Sequence, residues 1–211
     1  MPDGTENLDQ VFAQIAIKKP DIVEFRFDKL ADAEAVEIIG RKKALPAIAT
    51  LRPSENLSID KSLLVAAADS GFEFVDVDAT QPEAKKLAEQ CKIRGAKIIA
   101  SSHNFKGTPS QSELSNLLNS VRKIPADVCK IVTTATHSHD NLVVLNFLEE
   151  KREEAKLISF AMGKLGIPSR ILSPVYGAEF TFAALSPESK TADGQLTIDE
   201  LREAWHLLGI Q

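Results

Sequence analysis

The chain has 211 residues, of which 44% are hydrophobic and 26% are charged, and its net charge is -5 at pH 7. This composition is typical of an ordinary globular protein, and the acidic balance argues against nucleic acid, which requires a basic face. No segment is long and apolar enough for a membrane helix, and two cysteines are too few for a disulfide scaffold. We therefore expect one cytoplasmic domain, residues 1–211, with a small-molecule substrate.

Short runs rich in Val, Ile and Phe alternate with longer amphipathic stretches along the chain. The predicted strands are 21–28, 46–52, 72–78, 96–103, 127–134 and 156–162, with a weaker candidate at 170–173. The predicted helices are 7–17, 32–43, 59–70, 82–94, 110–123, 140–153 and 197–208, and the last opens with the capping-box sequence TIDE. Strands that alternate with crossover helices predict a parallel sheet.

Two α/β architectures fit this alternation, an open doubly wound sheet and a (β/α)₈ barrel. No GxGxxG turn follows a predicted strand, and no phosphate-binding GxxxxGK[ST] sequence is present. Polar residues instead gather at the carboxyl ends of several predicted strands, where barrel enzymes assemble their sites. We therefore expect a (β/α)₈ TIM-type barrel. Because a helix precedes the first predicted strand, we also expect this chain to lack the barrel's first strand.

Charged residues alternate with apolar ones in the first predicted strand, DIVEFRFD. Side chains of a strand point to opposite faces in turn, so Glu24, Arg26 and Asp28 share one face. Buried charges need partners, so these groups either pair with one another or bind a ligand. Arg52, with Thr50, ends the next predicted strand and is a weaker candidate for the same role.

Lys130 lies in the middle of the apolar strand DVCKIVTT, and lysine is seldom buried without a reason. Desolvation and neighbouring arginines would lower its pKa, and a neutral amine can attack a carbonyl to form an imine. An exposed lysine on a strand face is the alternative.

His103 ends the strand AKIIASSH, where an imidazole can act as general base and then general acid. Arg170 suits a carboxylate, which it can hold in two parallel hydrogen bonds. These residue types predict imine chemistry on a small anionic carbonyl compound, by either a Schiff-base lyase or an aldolase.

Several motifs occur in the order typical of type I 3-dehydroquinate dehydratase. They are VEFR, ATLRP, VDVD, SSHNFKGTP, KIVTTA, FAMGKLGIPSR and FTFAAL, followed by a terminal GQ. The chain resembles that family from about residue 20 to its C-terminus. The most specific part is a histidine and then a lysine on successive strands, followed by MGxxGxxSR.

The resemblance implies dehydration of 3-dehydroquinate to 3-dehydroshikimate, the third step of the shikimate pathway, by a homodimeric barrel without a metal or organic cofactor. It implies that Lys130 forms the imine and that His103 transfers the protons. Arg170 would bind the substrate carboxylate. The remaining implied substrate-binding residues are Glu24, Arg26, Arg52, Met162, Phe182, Thr191 and Gln195.

The sequence departs from the family pattern at two loops. The family usually has a glutamate four residues after the arginine that matches Arg52, whereas here Asn56 occupies that position and Glu55 comes one residue earlier. The usual Ser-Ala-Pro-Gly-Gln lid is replaced by Thr191 to Gln195, TADGQ, which keeps the glutamine without the proline. Two alternatives therefore stay open: another class I aldolase or lyase, and a non-catalytic metabolite-binding relic of the dehydratase scaffold.

Overall fold

A computed structural model describes residues 8–41, 44–52 and 61–210. The strands are β1 (Val23–Arg26), β2 (Ala47–Thr50), β3 (Phe74–Asp78), β4 (Lys97–His103), β5 (Val128–Thr134) and β6 (Leu157–Met162). The helices are α1 (Leu8–Lys18), α2 (Asp32–Gly40), α3 (Ser62–Asp69), α4 (Ala84–Ile93), α5 (Gln111–Val121), α6 (Asp140–Lys151), α7 (Ile167–Leu172) and α8 (Ile198–Leu208). Six predicted strands are thus confirmed within a few residues at each end. Hydrogen bonds join them into one sheet in chain order, which confirms the predicted α/β class.

The chain divides into two compact units. The first comprises Met1–Ala100 with Ile124–Asp127, and the second comprises Ser101–Lys123 with Val128–Gln211. In the first unit β1, β2 and β3 pair in parallel, with Val23 opposite Ala47 and Ile48 opposite Phe74. Phe25 and Phe27 are buried and contact the ring of Phe72 edge-on. The apolar set of the first predicted strand therefore forms core, as its alternation indicates.

In the second unit β5 and β6 pair in parallel over six residues, from Cys129 opposite Leu157 to Thr134 opposite Met162. Ala161 of β6 packs with Ala135 and with Val144 of α6 in a buried cluster. Residues of odd number on β5 and β6 therefore face the helix layer, since side chains alternate along a strand. The even-numbered residues, Lys130 among them, face the opposite side.

The starts of α5 and α8 follow the local sequence signals. At α8 the backbone N–H of Glu200 donates to Thr197 Oγ1 at 3.2 Å, and the Thr197 N–H donates to Glu200 Oε2 at 2.7 Å. This is the capping box predicted from TIDE. Ser110 and Glu113 form the same arrangement at α5. No helix within the described residues is long and apolar enough to span a membrane.

The predicted seventh strand at 170–173 is wrong, because these residues belong to α7 and the turn that follows it. The chain bends sharply after β6, where a Cβ atom on Gly166 would collide with the Ala161 carbonyl oxygen. Pro168 then occupies the first turn of α7, where a missing N–H and a fixed φ favour a helix. An isolated parallel bridge from Ala178 to Leu157 is what extends the sheet beyond β6.

Candidate active site

Lys130 lies on β5 and only 5% of its surface is exposed. Its partner across the ladder is Ile158, and the same face carries Phe160 and Met162 of β6. The Lys130 amine lies 4.0 Å from the centroid of the Phe182 ring, within the range of a cation–π contact. The structure therefore places the predicted nucleophile in a largely apolar wall, and the alternative of an exposed lysine is wrong.

Aromatic rings connect Lys130 to Arg170. The Phe182 ring lies 6.2 Å from the Phe160 ring, and the guanidinium carbon of Arg170 lies 4.3 Å from the Phe160 centroid. The Lys130 and Arg170 side chains thus flank a pair of aromatic rings in the second unit. Such an arrangement suits an anionic molecule that presents a carbonyl group at one end and a carboxylate at the other.

His103 is the last residue of β4, and its position relative to Lys130 follows from one hydrogen bond. The Asn104 N–H donates to the Val132 carbonyl at 2.8 Å, so His103 lies beside Val132 in the parallel ladder. Val132 is two residues beyond Lys130 and points to the same face of the sheet. Strand spacing and rise then separate the Cα atoms of His103 and Lys130 by roughly 8 Å. The His103 ring also stacks on Phe105, with centroids 6.0 Å apart and planes at 16°.

Arg170 is a buried cation on α7, and 3% of its surface is exposed. Its Nε atom makes no hydrogen bond within the described part of the chain. Burial lowers the pKa of Arg170 to about 10, and the Asp193 carboxylate opposes that effect. A buried guanidinium costs stability unless it is paired, so its position is explained best by a bound anion.

We expect Arg170→Met to stabilise the ligand-free protein, because methionine carries no charge to desolvate and fills similar apolar space. The expected gain in the free energy of unfolding is about 1–2 kcal/mol, measured by urea denaturation at pH 7.5. The control is Arg122→Met, since Arg122 is an exposed arginine, and its change should be within about 0.5 kcal/mol. A loss of stability in Arg170→Met would show that the guanidinium is well paired inside the protein.

The predicted lid, Thr191 to Gln195, folds as a compact turn. Gln195 Oε1 accepts hydrogen bonds from the Thr191 N–H at 2.8 Å and from Thr191 Oγ1 at 3.3 Å. Gly194 has a φ of +71° and packs so closely on the Gly163 carbonyl that a Cβ atom would collide with it. Thr191 and Gln195 line a depression of about 700 Å³. As far as the described residues go, its lining includes neither Lys130 nor His103.

The other predicted polar residues, Glu24, Arg26 and Arg52, lie in the first unit, where they form hydrogen bonds and ion pairs. Glu24 accepts a hydrogen bond from Thr50 Oγ1 at 2.8 Å. Arg26 donates to both carboxylate oxygens of Asp28, at 2.8 and 2.6 Å. Burial by itself would raise the pKa of Asp28, but the hydrogen bonds and positive charge of Arg26 outweigh it and lower that pKa. Asp28 lies in a 3₁₀ turn just after β1, so the predicted strand ends earlier than expected.

Arg52 belongs to the same network through two aspartates of β3. It donates to Asp76 Oδ2 at 2.6 Å and lies 3.9 Å from Asp78 Oδ2. Asp76 is fully buried. Neither carboxylate was predicted as a site residue, although the alternation in VDVD places both on one strand face and could have indicated them. The altered loop with Glu55 and Asn56 lies outside the described residues.

The family model for type I 3-dehydroquinase matches residues 3–211 of this chain. The chain belongs to the type I 3-dehydroquinase family. Family membership confirms the resemblance inferred from the motifs, and it confirms the expected class of enzyme, a hydro-lyase that dehydrates 3-dehydroquinate in the shikimate pathway.

Individual relatives cover most of this type I 3-dehydroquinase. A 3-dehydroquinate dehydratase of Dehalococcoides mccartyi is 35% identical over 191 residues, which is 86% of this chain and 83% of the relative. The 3-dehydroquinate dehydratase of Pyrococcus abyssi is 31% identical, and the match covers 97% of this chain and 95% of that relative. The crystal structure of 3-dehydroquinate dehydratase from Geobacillus kaustophilus superimposes with a TM-score of 0.82 at 26% identity, over 93% of this chain and 83% of that one.

Proposed function

We propose that this dehydratase works through a Schiff base on Lys130. The buried Lys130 amine, on a sheet face shared with His103 and flanked by Phe182, carries this proposal. A neutral amine would attack the C3 carbonyl of 3-dehydroquinate, and loss of one water would leave a protonated imine. The aromatic and aliphatic wall around Lys130 supports this step because it keeps bulk water from the carbon that reacts.

His103 is proposed as the proton carrier between two positions of the ring. The protonated imine withdraws electrons, so the neighbouring C2–H becomes acidic enough for the imidazole to remove its proton. The electrons form the C1–C2 double bond, the C1 hydroxyl departs, and His103 returns the proton so that water leaves. Hydrolysis of the imine then releases 3-dehydroshikimate and restores Lys130. His103 lies on the strand next to that of Lys130, two residues further along and on the same face of the sheet, and this position supports its role.

Arg170 is proposed to bind the substrate carboxylate. Its burial, the free Nε and its contact with Phe160 support an anion at this position. A carboxylate would accept two parallel hydrogen bonds from the guanidinium. Phe182 and Met162 would form the apolar wall against the ring, and Gln195 with Thr191 would contribute polar contacts from the lid.

Other expectations drawn from the family remain predictions. Contact of Glu24, Arg26 and Arg52 with the ring hydroxyls is one of them; within the protein Glu24 is hydrogen-bonded to Thr50, and the two arginines pair with aspartates. A single (β/α)₈ barrel domain, a homodimer, a cytoplasmic location and the absence of a metal or organic cofactor are the others.

The experiment that tests the proposal follows turnover and trapping together. Purified protein is mixed with 3-dehydroquinate, and the ultraviolet absorbance of the conjugated enone product is recorded. Sodium borohydride is then added, and the adduct is located by mass spectrometry of peptides. We expect turnover with a reduced adduct on Lys130. An adduct without turnover would indicate the relic, and turnover with an unmodified Lys130 would contradict the Schiff base. A Schiff-base aldolase would give an adduct with a keto acid but no enone from 3-dehydroquinate.

A further inference from the structure

The position of Arg170 depends on contacts outside its own helix. α7 has six residues, and a helix of that length has little stability of its own in water. The carboxylate-binding guanidinium proposed above needs an accurate position, because a bidentate contact is sensitive to displacements of about 1 Å. Whatever holds the first turn of α7 therefore governs how well the Arg170 side chain meets its ligand.

Asn141, near the start of α6, makes three side-chain hydrogen bonds, and two of them join it to Leu165 and Ser169 at the start of α7. Its Nδ2 group donates to the Leu165 carbonyl at 2.7 Å and to the Ser138 carbonyl at 2.9 Å. Its Oδ1 atom accepts the backbone N–H of Ser169 at 3.0 Å. Asn141 is 5% exposed. An asparagine amide has two N–H donors and a carbonyl acceptor, and here both donors and the acceptor are used.

Ser169 immediately precedes Arg170 and connects the same turn to β6. Its Oγ atom accepts the Ala161 N–H at 2.9 Å and donates to the Gly166 carbonyl at 2.8 Å. Ser169 is fully buried. The first turn of α7 is therefore held on two sides, by α6 through Asn141 and by β6 through the serine hydroxyl.

We propose that Asn141 is a positioning residue for substrate binding, which acts by holding the α7 turn that carries Arg170. This inference rests on the proposed carboxylate-binding role of Arg170. Asn141 lies in the first turn of α6, and its hydrogen bonds to Leu165 and Ser169 join it to the segment that follows β6 in the chain. Its effect on catalysis is therefore expected in binding of the carboxylate and not in the proton transfers at His103.

The test is steady-state kinetics of Asn141→Ala with 3-dehydroquinate. We expect KM to rise about 10- to 100-fold, because α7 loses a buried partner and Arg170 is displaced. The kcat value should change less than about threefold, since contact with the carboxylate is made in both ground and transition states. A matched control is Asn146→Ala, an exposed asparagine on the same helix, for which KM and kcat should stay at wild-type values.

A double-mutant cycle separates positioning from a general structural role. In an Arg170→Ala background, Asn141→Ala should change KM less than about twofold, because the residue through which it acts has been removed. An undiminished effect in that background would overturn the proposal, as would an unchanged KM in the single variant or a fall in kcat alone.

Folding of the variants is followed through Trp205, the one tryptophan of the chain, whose Nε1 donates to the Ile171 carbonyl of α7 at 2.8 Å. If Asn141→Ala does not fold, the smaller polar change Asn141→Ser replaces it and must also raise KM. Failure of the proposed function shows differently, as a wild-type protein without turnover. If the wild type turns over and a folded Asn141 variant has a normal KM, the positioning role of Asn141 is wrong and the proposed function stands.

Discussion

Replacing Lys130 by alanine will abolish both borohydride trapping and turnover of 3-dehydroquinate. The amine is the group proposed to form the covalent bond, and no hydroxyl or imidazole can replace it in imine formation. We expect kcat to fall by about 10⁴-fold or more, the order of loss found when one member of a nucleophile–base unit is removed. Stopped-flow absorbance and intact-protein mass spectrometry after borohydride treatment measure the two effects.

The matched control is Lys123→Ala, since Lys123 is an exposed lysine that precedes β5 by five residues in the chain. It should trap substrate on Lys130 and turn over at the wild-type rate. Because Lys130 is buried, its loss also leaves space beside Phe182, so thermal unfolding of each variant must be recorded. Normal turnover by a folded Lys130→Ala protein would refute the covalent mechanism.

Replacing His103 by alanine will separate imine formation from dehydration. The lysine remains, so substrate should still be trapped on Lys130 by borohydride. Turnover should fall by roughly 10²- to 10⁴-fold, which is the contribution typical of general acid–base catalysis. Rapid-quench mass spectrometry would then show the covalent adduct accumulating before product is released.

One control variant makes that result specific. His206→Ala removes an exposed histidine from α8 and should leave both trapping and turnover unchanged. If His103→Ala instead prevented trapping while the protein stayed folded, His103 would be needed for imine formation. The assignment of the two proton transfers to the imidazole would then be wrong in its present form.

Local sequence patterns were sufficient for most of the secondary structure. The runs around Lys130 and His103 became β5 and β4 because Val and Ile favour buried strands and turn residues mark their ends. The predicted seventh strand failed because Gly166 and Pro168 force a tight bend and a short helix, which outweighs the apolar character of Ile171 and Leu172. Arg170 therefore reaches its position from a helix and not from a strand end.

The ion pairs of the first unit show the same limit. Alternation along the first predicted strand placed Glu24, Arg26 and Asp28 on one face, and Arg26 does pair with Asp28, but the alternation could not say which groups would neutralise Arg52. Asp76 lies 24 residues from Arg52 in the chain, and the parallel pairing of β2 with β3 brings Asp76 and Asp78 to that arginine. The partners of Arg52 were therefore unknown until the fold was known.

By itself the sequence determined the α/β class, the position of each strand of the sheet and a family of enzymes, since these depend on residue periodicity and on short motifs along the chain. The tertiary structure decided the burial of Lys130, its aromatic connection to Arg170 and the hydrogen bonds of Asn141. The physical reason is that burial and side-chain contacts depend on residues distant in the chain. Such contacts are specified by packing, which no local pattern contains.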